Sequence, residues 1–149
     1  MRDEIAKGSE LGKQLDCINH GKIAPPEVTM QCIKQHATNP SYKFIVLDGF
    51  PRTVEQASVY NSVVGPADLT LVFNLPEDEC MQRLGKRALA SGRADDNEQT
   101  FRIRFNEFYQ KTQPAVDYVK RTSKYEEIDG AGSVEEVWER VKAAVMKIM

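Results

Sequence analysis

The sequence predicts an α/β fold built on a parallel sheet, and three observations carry that reading. The runs Phe44-Ile45-Val46-Leu47 and "LTLVFNL" (69–75) are apolar and of strand length, as suits strands covered on both faces. A third strand-like stretch occupies 125–129. The segments between them have helical length and pattern, and strands joined in that way form βαβ units.

Each element follows from local chemistry. Residues 1–15 read as a charged helix interrupted by Gly8-Ser9 and Gly12, followed by a second short helix and the turn "HGKIAPPE". Pro25-Pro26 starts a helix to about His36, with Val28, Cys32 and Ile33 on one face. Strand 44–48 then leads through Gly49-Phe50-Pro51 into a helix capped at Thr53. After the second strand, Pro76 suits the first helical position, and Glu77, Asp78 and Glu79 complement the helix dipole. That helix reaches the polar loop "GKRALASGRADDN". A long helix follows from Thr100 to about Arg121, with Phe101, Phe105 and Phe108 at helical spacing and Pro114 as a kink or break. The last strand passes through "GAGS" into an amphipathic helix whose buried face is Val134, Val137, Val141, Val145 and Ile148.

The 149 residues amount to one ordinary domain with room for a core. A net charge of -2 supplies no overall field for nucleic acid. The three cysteines (Cys17, Cys32, Cys80) are odd in number and lack metal-ligand spacing, which points to a reducing compartment and to small buried side chains. No apolar stretch reaches membrane-spanning length, and Met1-Arg2-Asp3-Glu4 is not the start of a signal peptide. The expectation is a soluble cytoplasmic protein without nucleic-acid or membrane partners.

Asp48 and Arg52 stand just past a strand's C-terminal end, where open α/β sheets bind ligands. Taken alone, the stretch also reads as a strand, a turn and a helix cap. Arg2, Arg83, Arg87, Arg93 and Arg104 add to it from other segments. Singly, each is an ordinary surface residue. Together they suit phosphate, because a planar, always-charged fork holds phosphate oxygens well, and phosphoryl transfer needs several such groups around the transferring charge. Arg83 and Arg87 share a helix face, and the loop "ASGRADDN" is able to close over a substrate carrying Arg93. Asp95 and Asp96 would pair with arginines or restrain that loop; they read equally as a solvated turn.

"DGFPR" at 48–52 with Gln56, "SGRADDN" at 91–97 and Arg104 together resemble the nucleoside monophosphate kinase family, specifically the adenylate kinases. "MRDEIAKGSELGKQL", "HGKIAPPE" and "GAGSVEEVW" extend the resemblance in order along the whole chain. It implies one kinase domain over 1–149, with a helical monophosphate-binding segment at 1–24, a short lid at 86–96 and the remainder as core. By resemblance, Arg2 and Arg52 hold the AMP phosphate, Lys22, Ile23 and Ala24 approach the base through their backbone, and Gln56 meets the adenine edge. Gly49, Phe50 and Pro51 shape the same AMP site. Ala24 departs from the valine usual there. Arg87, Arg93 and Arg104 clamp the transferring phosphates, with Arg93 and Arg104 also on the AMP side. Arg83 lies against the ATP base, Gly132 approaches it through its backbone, and Asp48 orients the water shell of the Mg²⁺ that accompanies ATP. No protein residue ligates the metal directly. The lid lacks cysteines, which excludes the zinc-bearing long lid, and short lids in this family are commonly cytosolic. A complete member is expected to be a monomer.

The resemblance also implies a P-loop, G-x-x-x-x-G-K-S/T, which these residues do not contain. "GSELGKQ" has three residues between its glycines and Gln14 where a hydroxyl is required, and no strand precedes it. In the family the P-loop follows a central strand lying between 44–48 and 69–75. Either the sequence is an incomplete copy, the favoured expectation, or its remaining strands close up. Three functions stay open: an adenylate kinase whose 149 residues are inactive without the P-loop, a UMP/CMP kinase, and a non-catalytic nucleotide-binding or assembly module. Gln56 favours adenine over the Asn typical of UMP/CMP kinases, but also suits a capping role beside Thr53.

Overall fold

The computed structural model describes residues 1–37, 41–91 and 97–149. Its elements run α1 (Arg2–Ala6), α2 (Glu10–Gln14), a 3₁₀ turn (Asp16–His20), α3 (Pro26–Ala37), α4 (Val54–Val63), β1 (Thr70–Asn74), α5 (Glu77–Ser91), α6 (Glu98–Glu107), a π-helical turn (Phe108–Thr112), α7 (Gln113–Thr122), β2 (Tyr125–Asp129) and α8 (Val134–Met146). The fold class is mixed α/β. Among the described residues the sheet has two strands, β1 and β2, which pair in parallel from Thr70 opposite Tyr125 to Asn74 opposite Asp129.

The first 37 residues carry their own small core, in which Leu11, Leu15, Ala24 and Cys32 pack with Ile5, Cys17, Ile18 and Val28 around them. The expected interruption falls at Gly8, and Ser9 caps α2 by accepting the Gly12 N–H. At Gly12 the two helices touch: a Cβ there would lie 2.0 Å from the Glu4 carbonyl oxygen. "GSELGKQ" is therefore a helix start pressed onto α1, with Lys13 paired to Glu10. It is not a phosphate cradle.

Two expectations need correction, and a third is met. Residues 44–48 are not a strand; Phe44, Ile45 and Val46 are exposed, Val46 to 88%. Apolar character alone does not make a strand without a neighbour to complete its ladder. The described strands thus do not close up to include this run. The expected break in the long helix is met at the π-helical turn Phe108–Thr112, just ahead of Pro114, whose missing N–H cannot continue the α-helical ladder. Phe101 stacks on Phe105, which meets Tyr109 edge-on, while Phe108 and Tyr109 are both exposed. In α8 the inward face is Val137, Val141, Ala144 and Val145, while Val134 and Ile148 are exposed. Val134 is the first helical residue, beyond the reach of β2, and its turn is held instead by the Ser133–Glu136 capping box.

Cys32 is buried, Cys17 and Cys80 are partly so, and burial pushes the Cys17 and Cys80 thiols up. Neither Cys17 nor Cys80 resembles an activated thiolate. Among the described residues, no helix is long and apolar enough to cross a membrane.

Candidate active site

The turn after residue 48 positions Arg52. Gly49 takes a left-handed φ of 66°, the Phe50–Pro51 peptide is cis, and the Arg52 Nε donates to the Gly49 carbonyl at 2.7 Å. Thr53 then caps α4, accepting the Gln56 N–H through Oγ1. From the next layer, the Thr112 hydroxyl donates to the Arg52 carbonyl at 3.0 Å. The backbone of Arg52 is thus held from both sides while its side chain remains accessible.

Electrostatics identify what surrounds that guanidinium. Crowding by protein lowers the Arg52 pKa first, the positive charge of Arg104 lowers it next, Asp48 opposes, and Arg2 lowers it again. Arg104 on α6, Asp48 and Arg2 on α1 thus all lie within electrostatic reach of the Arg52 guanidinium. The Gly21 turn shows how Arg104 is delivered: a Cβ on Gly21 would stand 3.0 Å from the Thr100 methyl and 3.4 Å from Arg104 Cγ. The N-terminal half of α6 lies directly against the turn that leads to Lys22, Ile23 and Ala24. Concentrated like charge of this kind costs free energy unless an anion neutralises it.

Gln56 lies beside the cluster and is buried, with 3% of its surface accessible. Its Oε1 accepts the Arg52 N–H at 2.9 Å, and its Nε2 donates to the Ala24 carbonyl at 2.9 Å and to Thr29 Oγ1 at 3.3 Å. The capping role foreseen for its side chain is only part of this arrangement. The amide ties α4, the Ala24 turn and α3 together.

A second group forms at the end of β2. Arg83 on α5 donates to the Gly132 carbonyl and pairs with Glu79, and Arg140 holds the carbonyls of Asp129 and Ala131. Arg87 is exposed one turn beyond Arg83. Arg93, Asp95 and Asp96 lie outside the described residues.

A family model for adenylate kinase matches residues 1–124. The chain belongs to the adenylate kinase family. The adenylate kinase of Phocaeicola vulgatus is 36% identical over 156 residues, covering 99% of this chain and 82% of that protein. Adenylate kinase isoenzyme 1 of Caenorhabditis elegans is 36% identical over 151 residues, covering 99% and 72%. The UMP-CMP kinase of Lentinula edodes is 32% identical over 161 residues, covering 99% and 70%. Membership makes the chain's class that of a nucleoside monophosphate kinase.

Sequence reading missed Thr29 and Thr112. Thr29 carried a usable signal, since a hydroxyl on the face of α3 that also bears Cys32 and Ile33 would be buried and need a partner. Thr112 carried none, because its contact depends on the π-helical turn.

Proposed function

We propose that this domain serves the phosphoryl transfer between ATP and AMP of its family, with these 149 residues supplying the AMP side. An AMP phosphate oxygen bonds to the γ-phosphorus of ATP, the bond to the β–γ bridging oxygen breaks, and two ADP result. The observation that carries the reading is the grouping of Arg104, Arg2 and Asp48 within electrostatic reach of Arg52, whose turn is fixed by the Gly49 and Thr112 contacts. Arg2 and Arg52 hold the AMP phosphate, while Arg104, with Arg87 and Arg93, neutralises charge on the transferring group. Gln56 meets the base, near the Lys22–Ala24 backbone. Arg83 and Gly132 form the ATP-base side. No covalent intermediate is needed, since positioning and fixed charge suffice for this chemistry.

The Mg²⁺ that accompanies ATP would supply stabilisation of the charge developing on the transferring phosphates. Asp48 fits that role: it is exposed, lies beside the guanidiniums and is able to order the ion's water shell. The monophosphate-binding segment is 1–24, the lid is 86–96, the working compartment is the cytoplasm, and the active enzyme is a monomer. Because the 149 residues hold no P-loop sequence, we assign them AMP binding without turnover of their own.

A UMP/CMP kinase is the second reading, favoured by the similarity to proteins of that name. Calorimetric titration with AMP tests the primary one. Arg52→Ala is expected to weaken AMP binding by about 1.5–3 kcal/mol, the range for charge-assisted hydrogen bonds. An unchanged dissociation constant in folded protein removes Arg52 from the site. Tighter binding of CMP or UMP than of AMP decides for the second reading.

A further inference from the structure

We infer that Thr29 is a specificity-determining positioning residue, which holds the Gln56 amide so that it offers a nucleobase an acceptor and no donor. The inference rests on the proposal that Gln56 meets the base. A glutamine amide has two N–H donors and an oxygen with two acceptor positions. Both donors of Gln56 are committed, one to the Ala24 carbonyl and one to Thr29 Oγ1. One acceptor position of Oε1 is filled by the Arg52 N–H. What remains is a single acceptor position, on the oxygen that already accepts the Arg52 N–H.

The partners also fix which way the amide points. Exchanging its oxygen and nitrogen would set Oε1 against the Ala24 carbonyl and Nε2 against the Arg52 N–H, two repulsive pairs in a buried site. Thr29 supplies the third anchor and the only one made by a side chain. At 1% accessible surface, it cannot pass its hydroxyl to solvent. With all three anchors in place, the amide has no freedom to turn a donor outward. A base carrying an exocyclic amino group at the contacted edge, adenine or cytosine, then finds its complement. A base carrying an oxo group there, guanine or uracil, sets acceptor against acceptor and leaves buried polar groups unpaired.

Removal of the Thr29 hydroxyl releases one Nε2 donor and the constraint on amide rotation. The test is calorimetric titration of the 149-residue protein, Thr29→Val and Thr29→Ser with AMP, GMP, CMP and UMP. The CMP/UMP pair differs in amino against oxo at matched size, and the AMP/GMP pair adds the same exchange at C6 with a further amino group at C2 of guanine. The parent is expected to prefer the amino member of each pair. Thr29→Val is expected to reduce that preference about tenfold, the change carried by one hydrogen bond of ordinary net strength. Thr29→Ser, which restores the hydroxyl, is expected to restore the preference. A purely structural role would weaken all four ligands together and leave the ratios unchanged, and that result overturns the inference while leaving the kinase reading intact. A parent that binds none of the four overturns the nucleotide reading and this inference with it. Circular dichroism confirms folding of each variant; should Thr29→Val not fold, an altered ratio in Thr29→Ala with recovery in Thr29→Ser decides in the same way.

Discussion

Arg83 on α5 donates through Nη2 to the backbone carbonyl of Gly132 at 3.2 Å, joining the helix after β1 to the loop after β2. The same guanidinium pairs with Glu79 one turn back, and 44% of the Arg83 side chain is accessible. An ion pair so exposed contributes little to stability. Arg83→Ala is therefore expected to lower the melting temperature by under about 2 °C. If Arg83 also lies against the ATP base, the substitution weakens ATP binding by about two- to fivefold, the worth of an exposed cation–π contact. Scanning calorimetry and an ATP titration read the two effects separately. A stable variant with unaltered ATP affinity removes Arg83 from the nucleotide site.

Two glycines in helices should respond to alanine in opposite directions. At Gly12 the new Cβ would lie 2.0 Å from the Glu4 carbonyl oxygen and 2.9 Å from the Ile5 Cα, so α1 and α2 must separate. Gly12→Ala is expected to cost roughly 3 kcal/mol, the upper end for overpacking. At Gly85, inside α5, a Cβ meets nothing within 4 Å. Gly85→Ala is expected to add about 0.5–1 kcal/mol through helix propensity. Urea denaturation of the two variants checks the contrast, and similar midpoints would refute the crossing of α1 over α2.

Gly12 also shows where sequence reasoning stopped. The chain's order of elements was legible because capping residues and prolines act locally: Ser9, Thr53, Asn97 and Ser133 each cap the helix that follows. The arginines were singled out by resemblance, and Arg104, Arg2 and Asp48 lie within electrostatic reach of Arg52. What the sequence did not reveal depends on contacts across distance. Phe44, Ile45 and Val46 have strand-like side chains, but a strand is a property of two segments and they have no partner strand among the described residues. Likewise, the burial of Thr29 and the saturation of the Gln56 amide depend on α3 meeting α4.

Glu4 sets an acid limit on the first segment. Its carboxylate is buried, and the Ser9 hydroxyl at 2.8 Å and Lys7 at 3.2 Å hold its pKa below the ordinary 4.5, against the opposing effect of burial. His36 Nε2 stands 3.6 Å away and joins as an ion-pair partner when protonated. With a folded-state pKa below the unfolded one, the unfolded chain binds the proton first as pH falls. The contribution of Glu4 is thus fully present above about pH 4.5 and is lost as pH drops through the lower folded value. Melting temperatures of the parent and Glu4→Gln should differ at neutral pH and converge below that point. Curves that stay parallel down to pH 3 would mean that the contacts of Glu4 contribute nothing.

The last prediction concerns turnover. Among the 149 residues, only "GSELGKQ" approaches a P-loop, and its amides belong to the start of α2, with Ser9 as cap and Gly12 against α1. If Arg104 and its neighbours attract nucleotide phosphates, as proposed, attraction alone does not bring donor and acceptor into line. A cradle of backbone N–H groups with a lysine and a hydroxyl supplies that alignment and seats the metal-bound phosphates. The 149-residue polypeptide is therefore expected to bind AMP weakly and to form ADP no faster than background. Its apolar surface at Phe44, Ile45, Val46 and Phe73 should make it associate in solution. Placing the family's strand, P-loop and first helix ahead of Met1 is expected to give ADP formation and a monomeric elution profile. Coupled ADP assays and size-exclusion chromatography of both polypeptides at matched concentration measure this. Robust ADP formation by the 149 residues alone would sink the argument, and would mean that groups read here as helix caps and surface pairs hold the ATP phosphates instead.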